Sequence, residues 1–344
     1  MTAIPRFGLA IPTATEGMMY PVPFASVNEV VDLSVAAERL GFDSVWGNDH
    51  VSTQRYVRSD YDDPPRFYDP LTLLGFVAAS TTTIRLATAV LVLPFRHPVI
   101  VAKQAATLDQ LSDGRFMLGV GVGAYREEFD AMYSGRELHR GRYVDEFLDS
   151  LAVLFSHRRA TYEGEFIRFV DIESFPKPVQ DPLPILSGGN SPQSRRRAAT
   201  TANGWLPACL TPREYADGLR DIRRIEAEED IDPSRHFDAG LQLVVSIHDR
   251  HEDAVKRFRS SRVHSHLASL TRSTMKGRLG DPLEARNLVG TLDDVLEQIQ
   301  AYVDAGVDVF AGLLFATDTV DETLEAMERF SHQVIAALTD RSVS

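Results

Sequence analysis

The sequence predicts an α/β protein, a TIM (β/α)8 barrel carrying insertions at the carboxyl face of its strands. Three observations carry that prediction. Short β-branched runs alternate with amphipathic helical periods along nearly the whole chain; the runs number eight; and they are apolar at successive positions, as strands buried on both faces of a parallel sheet must be. A barrel of eight such units takes about 250 residues before insertions. The 344 residues therefore fit one elaborated domain spanning 1–344. An open doubly wound sheet is the competing architecture.

In chain order the strand candidates are Phe7–Ile11, Ser44–Trp46, Ile84–Leu93, Phe116–Gly121, Pro184–Leu186, Gly204–Pro207, Leu241–Ile247 and Val307–Leu314. Val30, Leu33, Ala37 and Leu40 form an apolar stripe at helical spacing, and so do Leu292, Val295, Leu296, Ile299 and Val303. Both helices leave through a glycine placed just before a strand, in Gly41-Phe42-Asp43 and Gly306-Val307-Asp308. The third strand candidate exceeds the usual length of about five or six residues and invites a bulge. Thr88-Ala89-Val90 lies inside it and, on its residues alone, reads as ordinary core strand. Two segments break the alternation. Residues 157–181, with Tyr162, Phe166 and Phe169 around Gly164, predict a hairpin; residues 260–286, basic and polar, predict an excursion that reads equally as a lid or as a solvated loop.

Lys and Arg number 36 against 49 Asp and Glu, a net charge of −13 that argues against a nucleic-acid partner. The single Cys209 excludes an intrachain disulfide framework, and Met1 to Arg6 lacks the basic-then-apolar plan of a signal peptide, so the expected compartment is the cytoplasm. The longest apolar stretch, Leu86 to Pro94, falls far short of the roughly 20 residues of a membrane helix. No membrane span is expected.

Candidate chemistry begins with Trp46-Gly47-Asn48-Asp49-His50, which ends the second strand candidate and opens a long loop containing Tyr56, Tyr61, Phe67 and Tyr68. His50 thus stands at a strand's carboxyl end, where a barrel keeps its active site. A lone histidine is structural by default; position is what lifts this one. Asp49 is the candidate carboxylate that orients it for proton transfer near neutrality. His97, before Pro98, is a second histidine expected at the mouth.

Gly188-Gly189-Asn190-Ser191-Pro192 follows the fifth strand candidate and opens a helix, with Ser191 as N-cap and Pro192 in the first turn. The glycines let the backbone approach a ligand, and the free amides and helix dipole attract a phosphate. The plainer alternative is a common βα turn, since Thr211-Pro212 repeats the cap without glycines. Arg195, Arg196 and Arg197 are candidates to assist. Gly119 to Ala124 formally matches a dinucleotide fingerprint, but no acidic strand end follows at the required distance. Gly121 and Gly123 are read instead as clearing space for a flat ligand. His264-Ser265-His266 has metal-like spacing without a strand-end histidine pair to complete it, so no metal is expected. Cys209 reads as a packed thiol.

Phe7-Gly8-Leu9-Ala10-Ile11-Pro12, Trp46 to His50, Leu118 to Gly123 followed by Glu127-Glu128-Phe129, and Ile185 to Pro192 followed by Gly204-Trp205-Leu206-Pro207 together resemble the bacterial luciferase-like family of flavin-dependent oxidoreductases. Gly290-Thr291 through Asp308 is similar to that family's closing helix–strand unit, so the resemblance spans almost the full chain. It implies a TIM barrel that binds FMN or the deazaflavin coenzyme F420 at its carboxyl face, with the phosphate held by Gly188, Gly189, Asn190 and Ser191. It also implies a bulge at Thr88-Ala89-Val90, often with a non-proline cis peptide at Ala89-Val90, pressing on the back of the ring. His50 matches the family's active-site histidine. The Gly-Gly-Asn-Ser turn is similar to many deazaflavin-dependent members, while several FMN monooxygenases carry a Ser-rich version, which puts F420 ahead of FMN. The sugar-phosphate dehydrogenase branch carries a carboxylate where this chain has Ala124. The family often forms homodimers. The expected function is hydride transfer between F420 and a small organic substrate; the alternatives are a reduced-FMN monooxygenase inserting one atom of O2, a metal-dependent TIM-barrel hydrolase, and a barrel that binds a ligand without turnover.

Overall fold

The computed structural model describes residues 4–133, 138–270 and 281–343. Eight parallel strands close into a barrel: β1 (Arg6–Ile11), β2 (Ser44–Gly47), β3 (Arg85–Thr88), β4 (Phe116–Gly121), β5 (Ile185–Gly188), β6 (Gly204–Leu206), β7 (Asp238–Leu241) and β8 (Val309–Phe315). Each pairs with the next in chain order, and β8 returns to β1 through Arg6↔Val309 and Phe7↔Phe310. The open doubly wound sheet is thereby excluded. Outside the strands lie α1 (Val27–Arg39), α2 (Pro70–Ser80), α3 (Pro98–Leu111), α4 (Arg140–Ser156), α5 (Pro192–Thr200), α6 (Pro212–Glu228), α7 (Leu292–Asp304) and α8 (Val320–Phe330), one after each barrel strand.

Local chemistry sets the helix starts. Ser26, Thr211 and Thr291 each form a capping box with Glu29, Glu214 and Asp294, satisfying amides that a helix cannot pair internally. Inside the barrel Trp46, Met117, Leu186, Leu206 and Val309 pack together, and Ala89 and Val90 sit against this cluster. Trp46 fits because Gly8 faces it: a Cβ there would lie 2.2 Å from the indole Nε1, which donates to Ser44 Oγ at 2.8 Å. A second, larger core fills the space between strands and helices.

Three strand expectations change in detail. The third candidate divides into β3 and Leu91–Val92, and the peptide between Ala89 and Val90 is cis. The candidate Leu241–Ile247 misses the barrel strand: β7 runs Asp238–Leu241 and meets the candidate only at Leu241, Gln242 turns aside to pair with Ala208, and the rest of the candidate is Val244–Ile247, which joins the carboxyl part of β8 and a short strand, Leu288–Gly290. The last strand starts at Val309 because Val307 closes the exit of α7 onto Tyr302 O.

The expected hairpin is present as Ala160–Glu163 against Arg168–Ile172, with Tyr162 stacked on Phe169 at 6.0 Å. Its tip is pinned by Glu146 of α4, which accepts the N–H groups of Glu165, Phe166 and Ile167. The second insertion begins as helix Arg262–Leu270; its residues 271–280 lie outside the described residues. Among the described residues no helix is long and apolar enough to cross a membrane.

Candidate active site

The pentapeptide at the end of β2 distributes its side chains among three tasks. Asn48 accepts from Thr13 Oγ1 at 2.7 Å and Ala14 N at 3.0 Å and donates to Ala14 O at 3.0 Å, tying β2 to the loop after β1. Asp49 is buried and held elsewhere: its carboxylate accepts from Val92 N at 2.8 Å and from both terminal nitrogens of Arg96, at 3.0 Å for the Nη2–Oδ1 contact. Arg96 also donates to Asp69 Oδ2 at 2.8 Å. The expectation that Asp49 orients His50 is therefore corrected. A buried carboxylate needs a charge and hydrogen bonds to offset its desolvation, and Arg96 supplies both.

The carboxylate that meets the imidazole is Glu128, whose Oε2 lies 3.1 Å from His50 Nδ1. Its Oε1 accepts from Val51 N at 2.9 Å and Ser52 N at 3.4 Å, and its side chain is only 2% exposed. A carboxylate only accepts, so Nδ1 carries the proton and Nε2 is left bare. Gln54 also reaches Nδ1, its amide nitrogen 3.1 Å away with Oε1 buried and unpartnered. With Nδ1 as donor the amide turns its oxygen to that proton. Glu128 stands on the short helix Arg126–Tyr133 beyond β4. Gly123, at φ +74°, makes the turn into that helix, and a Cβ there would meet Phe129 Cζ at 2.7 Å. The room at Gly123 thus serves loop packing, contrary to the expectation of space for a flat ligand.

Aromatic rings wall the imidazole. Tyr125 and Phe67 lie 5.5 and 5.9 Å from it by ring centroids. Tyr56 OH is 3.3 Å from Nδ1 of His266, a fully buried histidine that burial first, and then His50, push down to about 3. Burial also raises the pKa of the Tyr125 hydroxyl. Arg262 donates to Gly17 O at 2.8 Å and Asp60 Oδ2 at 3.0 Å and stacks over Tyr61, so helix Arg262–Leu270 is fastened onto the first two βα loops. His264 turns instead to the edge of Phe258, and among the described residues no three His, Cys, Asp or Glu side chains gather to hold a metal. His97 is an exposed N-cap that accepts from Val99 N at 3.3 Å, away from the expected mouth role. Cys209 is the packed thiol expected, pushed up to about 12 by burial.

On the neighbouring strand, beside Gly47, Thr88 is buried and its hydroxyl donates to Gly119 O at 2.7 Å, which withdraws it from any ligand. Ala89 and Val90 are partly exposed between fully buried neighbours. A Cβ on Gly119 would lie 2.0 Å from Thr88 O, one on Gly121 2.5 Å from Val90 Cγ2, and one on Gly188 2.5 Å from Val90 Cγ1. The glycines of β4 and β5 therefore make room for the bulge itself, which fills the space that the sequence assigned to a ligand.

The β5–α5 turn has the expected plan: Gly189 at φ +107°, Ser191 as N-cap accepting from Ser194 N at 3.1 Å, and Pro192 in the first turn. Asn190 is buried and bonds both the N–H and the C=O of Ala208, bracing the turn against the end of β6. Arg195, Arg196 and Arg197 pair with Asp221, Glu229 and Asp145, so their charges are spent on neighbouring helices. The residues missed from sequence are Glu128, Gln54, Tyr125 and His266. Two of them left a trace there: Glu128 in an acidic pair just past the strand-end glycines, and His266 in a His-Ser-His spacing that pointed to a metal instead.

Residues 5–309 match the family described as luciferase-like monooxygenase. The chain is 30% identical to an F420-dependent glucose-6-phosphate dehydrogenase of Nakamurella multipartita over 297 residues, 81% of this chain and 84% of that one. A monooxygenase from Streptomyces bottropensis shares the fold with a TM-score of 0.78 at 23% identity, covering 96% of this chain and 99% of its own. An F420-dependent secondary alcohol dehydrogenase in complex with an F420–acetone adduct does so at 0.77 and 18%, covering 97% and 99%.

Proposed function

This chain belongs to the luciferase-like monooxygenase family, and from that premise we propose that it is an F420-dependent oxidoreductase in which His50 moves a proton to or from a small organic substrate. One observation carries the reading: His50 Nδ1 is fixed by buried Glu128 at 3.1 Å, while no side chain among the described residues bonds Nε2. An imidazole so held can take a hydroxyl proton on Nε2 and return it, with Glu128 steadying the charged form.

The residues present fit the cofactor. Val90 shows a partly exposed face where a strand would otherwise be sealed, and the turn Gly188–Ser191 brings a nine-residue helix's N-terminus without an acidic side chain. Ala89 and Val90 would back the ring; Gly188, Gly189 and the Ser191 hydroxyl would hold the phosphate, with Asn190 and Thr88 shaping the turn and the bulge. When bound, the deazaflavin supplies hydride exchange, which no side chain here provides. Tyr125 and Phe67 pack around His50, and Tyr56 packs on Tyr125, which limits the imidazole's access to water. FMN is the alternative cofactor.

Ala124 leaves the mouth without the carboxylate found in the sugar-phosphate branch, so we place the substrate outside that class, among small uncharged alcohols or carbonyl compounds. The work is assigned to the cytoplasm. A homodimer would use exposed Phe76 on α2 and Ile100 on α3.

The test is turnover, followed as the change in F420 absorbance over a panel of alcohols and ketones. His50→Ala is expected to keep cofactor affinity and lose about 100-fold or more in kcat, the scale of general acid–base catalysis. Turnover within a few-fold of the parent would remove His50 from the reaction.

A further inference from the structure

A second cleft lies behind the helix Arg126–Tyr133. That helix sends Glu128 inward to His50, while Arg126, Phe129, Asp130 and Tyr133, at spacings of three and four, form its other stripe. This stripe faces His139, Arg140 and Arg142 at the start of α4 and Phe166 at the hairpin tip, enclosing about 670 Å³. The volume falls in the range of about 300–1,000 Å³ usual for small-ligand sites.

The cleft gathers basic groups on a chain whose net charge is −13. Arg140 donates to Gly123 O at 2.9 Å and stacks 4.5 Å over Phe129, with no carboxylate partner among the described residues. Burial lowers its pKa, as expected of a cation short of a counter-charge. Arg142 pairs with Glu165, and Arg126 with Asp130 at 3.8 Å; these are exposed pairs of the kind that contribute little and exchange partners readily. The Phe129 and Phe166 faces already carry guanidinium groups, which aligns the donors along the cleft.

Its place matters as much as its charge. The β4–β5 register pairs Val120 with Ser187, so Gly121 stands beside Gly188. Gly123, two residues further, holds Arg140. Arg140, one wall of the cleft, is thereby anchored two residues beyond the strand position that neighbours Gly188 of the turn assigned to the phosphate.

We propose that this cleft, lined by Arg126, His139, Arg140 and Arg142, binds the acidic oligo-γ-glutamyl tail of the deazaflavin cofactor. The tail follows the phosphate in the covalent order of F420, as the cleft follows the Gly188–Ser191 turn in space, and each γ-linked glutamate offers a free carboxylate to a guanidinium. FMN ends at its phosphate and leaves the cleft unused. The proposal rests on the F420 reading above and assigns the site a selectivity among forms of that cofactor.

The test is equilibrium binding to the full chain, read by cofactor fluorescence, with glutamate-free F420, long-tailed F420 and FMN. The long-tailed form is expected to bind about tenfold tighter than the glutamate-free form at low salt, the advantage shrinking as salt rises. Arg140→Ala and Arg142→Ala should each remove most of that advantage and leave glutamate-free binding within about twofold. Should Arg140→Ala fail to fold, Arg142→Glu carries the same expectation, since Arg142 is exposed. Equal affinity of the two F420 forms in the parent, or variants that weaken both alike, would overturn the tail site and leave the F420 reading intact. Binding of neither form would overturn both.

Discussion

Adjacent in sequence, Asp49 and His50 end up with different partners, and that divergence defines the site. A neighbour in the chain was legible; the carboxylate 78 residues away was not, because helix Arg126–Tyr133 brings Glu128 to the imidazole only once the turn at Gly123 has formed. His50 itself could be found from its strand-end position, which the barrel geometry makes meaningful. His266 could not, since its spacing to His264 points to a metal while its burial against Tyr56 is a tertiary fact. That burial has a measurable consequence. With a folded pKa near 3 against an ordinary value of 6.5, His266 stays neutral in the native protein while the unfolded chain takes up a proton. Its contribution is present above about pH 6.5 and is lost as pH falls toward 3. In chemical denaturation between pH 6 and 4, His266→Gln should reduce the slope of stability against pH by up to about 1.4 kcal/mol per unit. An unchanged slope would mean that the imidazole is not held neutral in the fold.

At the scale of elements, seven of the eight barrel strands and the hairpin were readable because each carries its own signal: apolar runs, exit glycines, a Gly-centred reversal. The seventh, Asp238–Leu241, was missed in favour of the stronger apolar run Val244–Ile247 just after it; what separates the two is Gln242 bridging to Ala208, 34 residues earlier, and local pattern does not record it. The glycines of β4 were legible as unusual, yet their use was misjudged. They admit the Thr88–Val90 bulge rather than a ligand. Gly121→Ala should therefore displace Val90, whose Cγ2 lies 2.5 Å from the added Cβ, and weaken cofactor binding by about tenfold or more. Adding Val90→Ala removes the colliding Cγ2 methyl and leaves the nearest approach at 3.4 Å, so the double variant is expected to recover most of the affinity. No recovery in a binding titration would show that Gly121 serves another purpose.

For the whole molecule, the ion pairs that join strands at the amino end of the barrel lie opposite the proposed site at its carboxyl end, a division this architecture favours. At the amino end Arg6 of β1 donates to Asp238 of β7 at 2.6 Å and stands 3.6 Å from Asp308, joining strands on either side of β8. Burial raises the Asp308 carboxyl, whose Oδ1 accepts from Ala239 N at 2.8 Å. Arg6→Ala would leave the 1%-exposed Asp238 only the exposed His236, 3.2 Å away, and should cost up to roughly 3–5 kcal/mol in denaturant titration without altering cofactor affinity. A parallel loss of affinity would contradict this division. At the carboxyl end, the barrel mouth beside His50 and the Ala89–Val90 bulge is the place proposed for a deazaflavin. Titrating the purified chain in parallel against F420 and FMN tests it directly: stoichiometric F420 binding at least about tenfold tighter than FMN is expected, and tight FMN binding with none to F420 would contradict it.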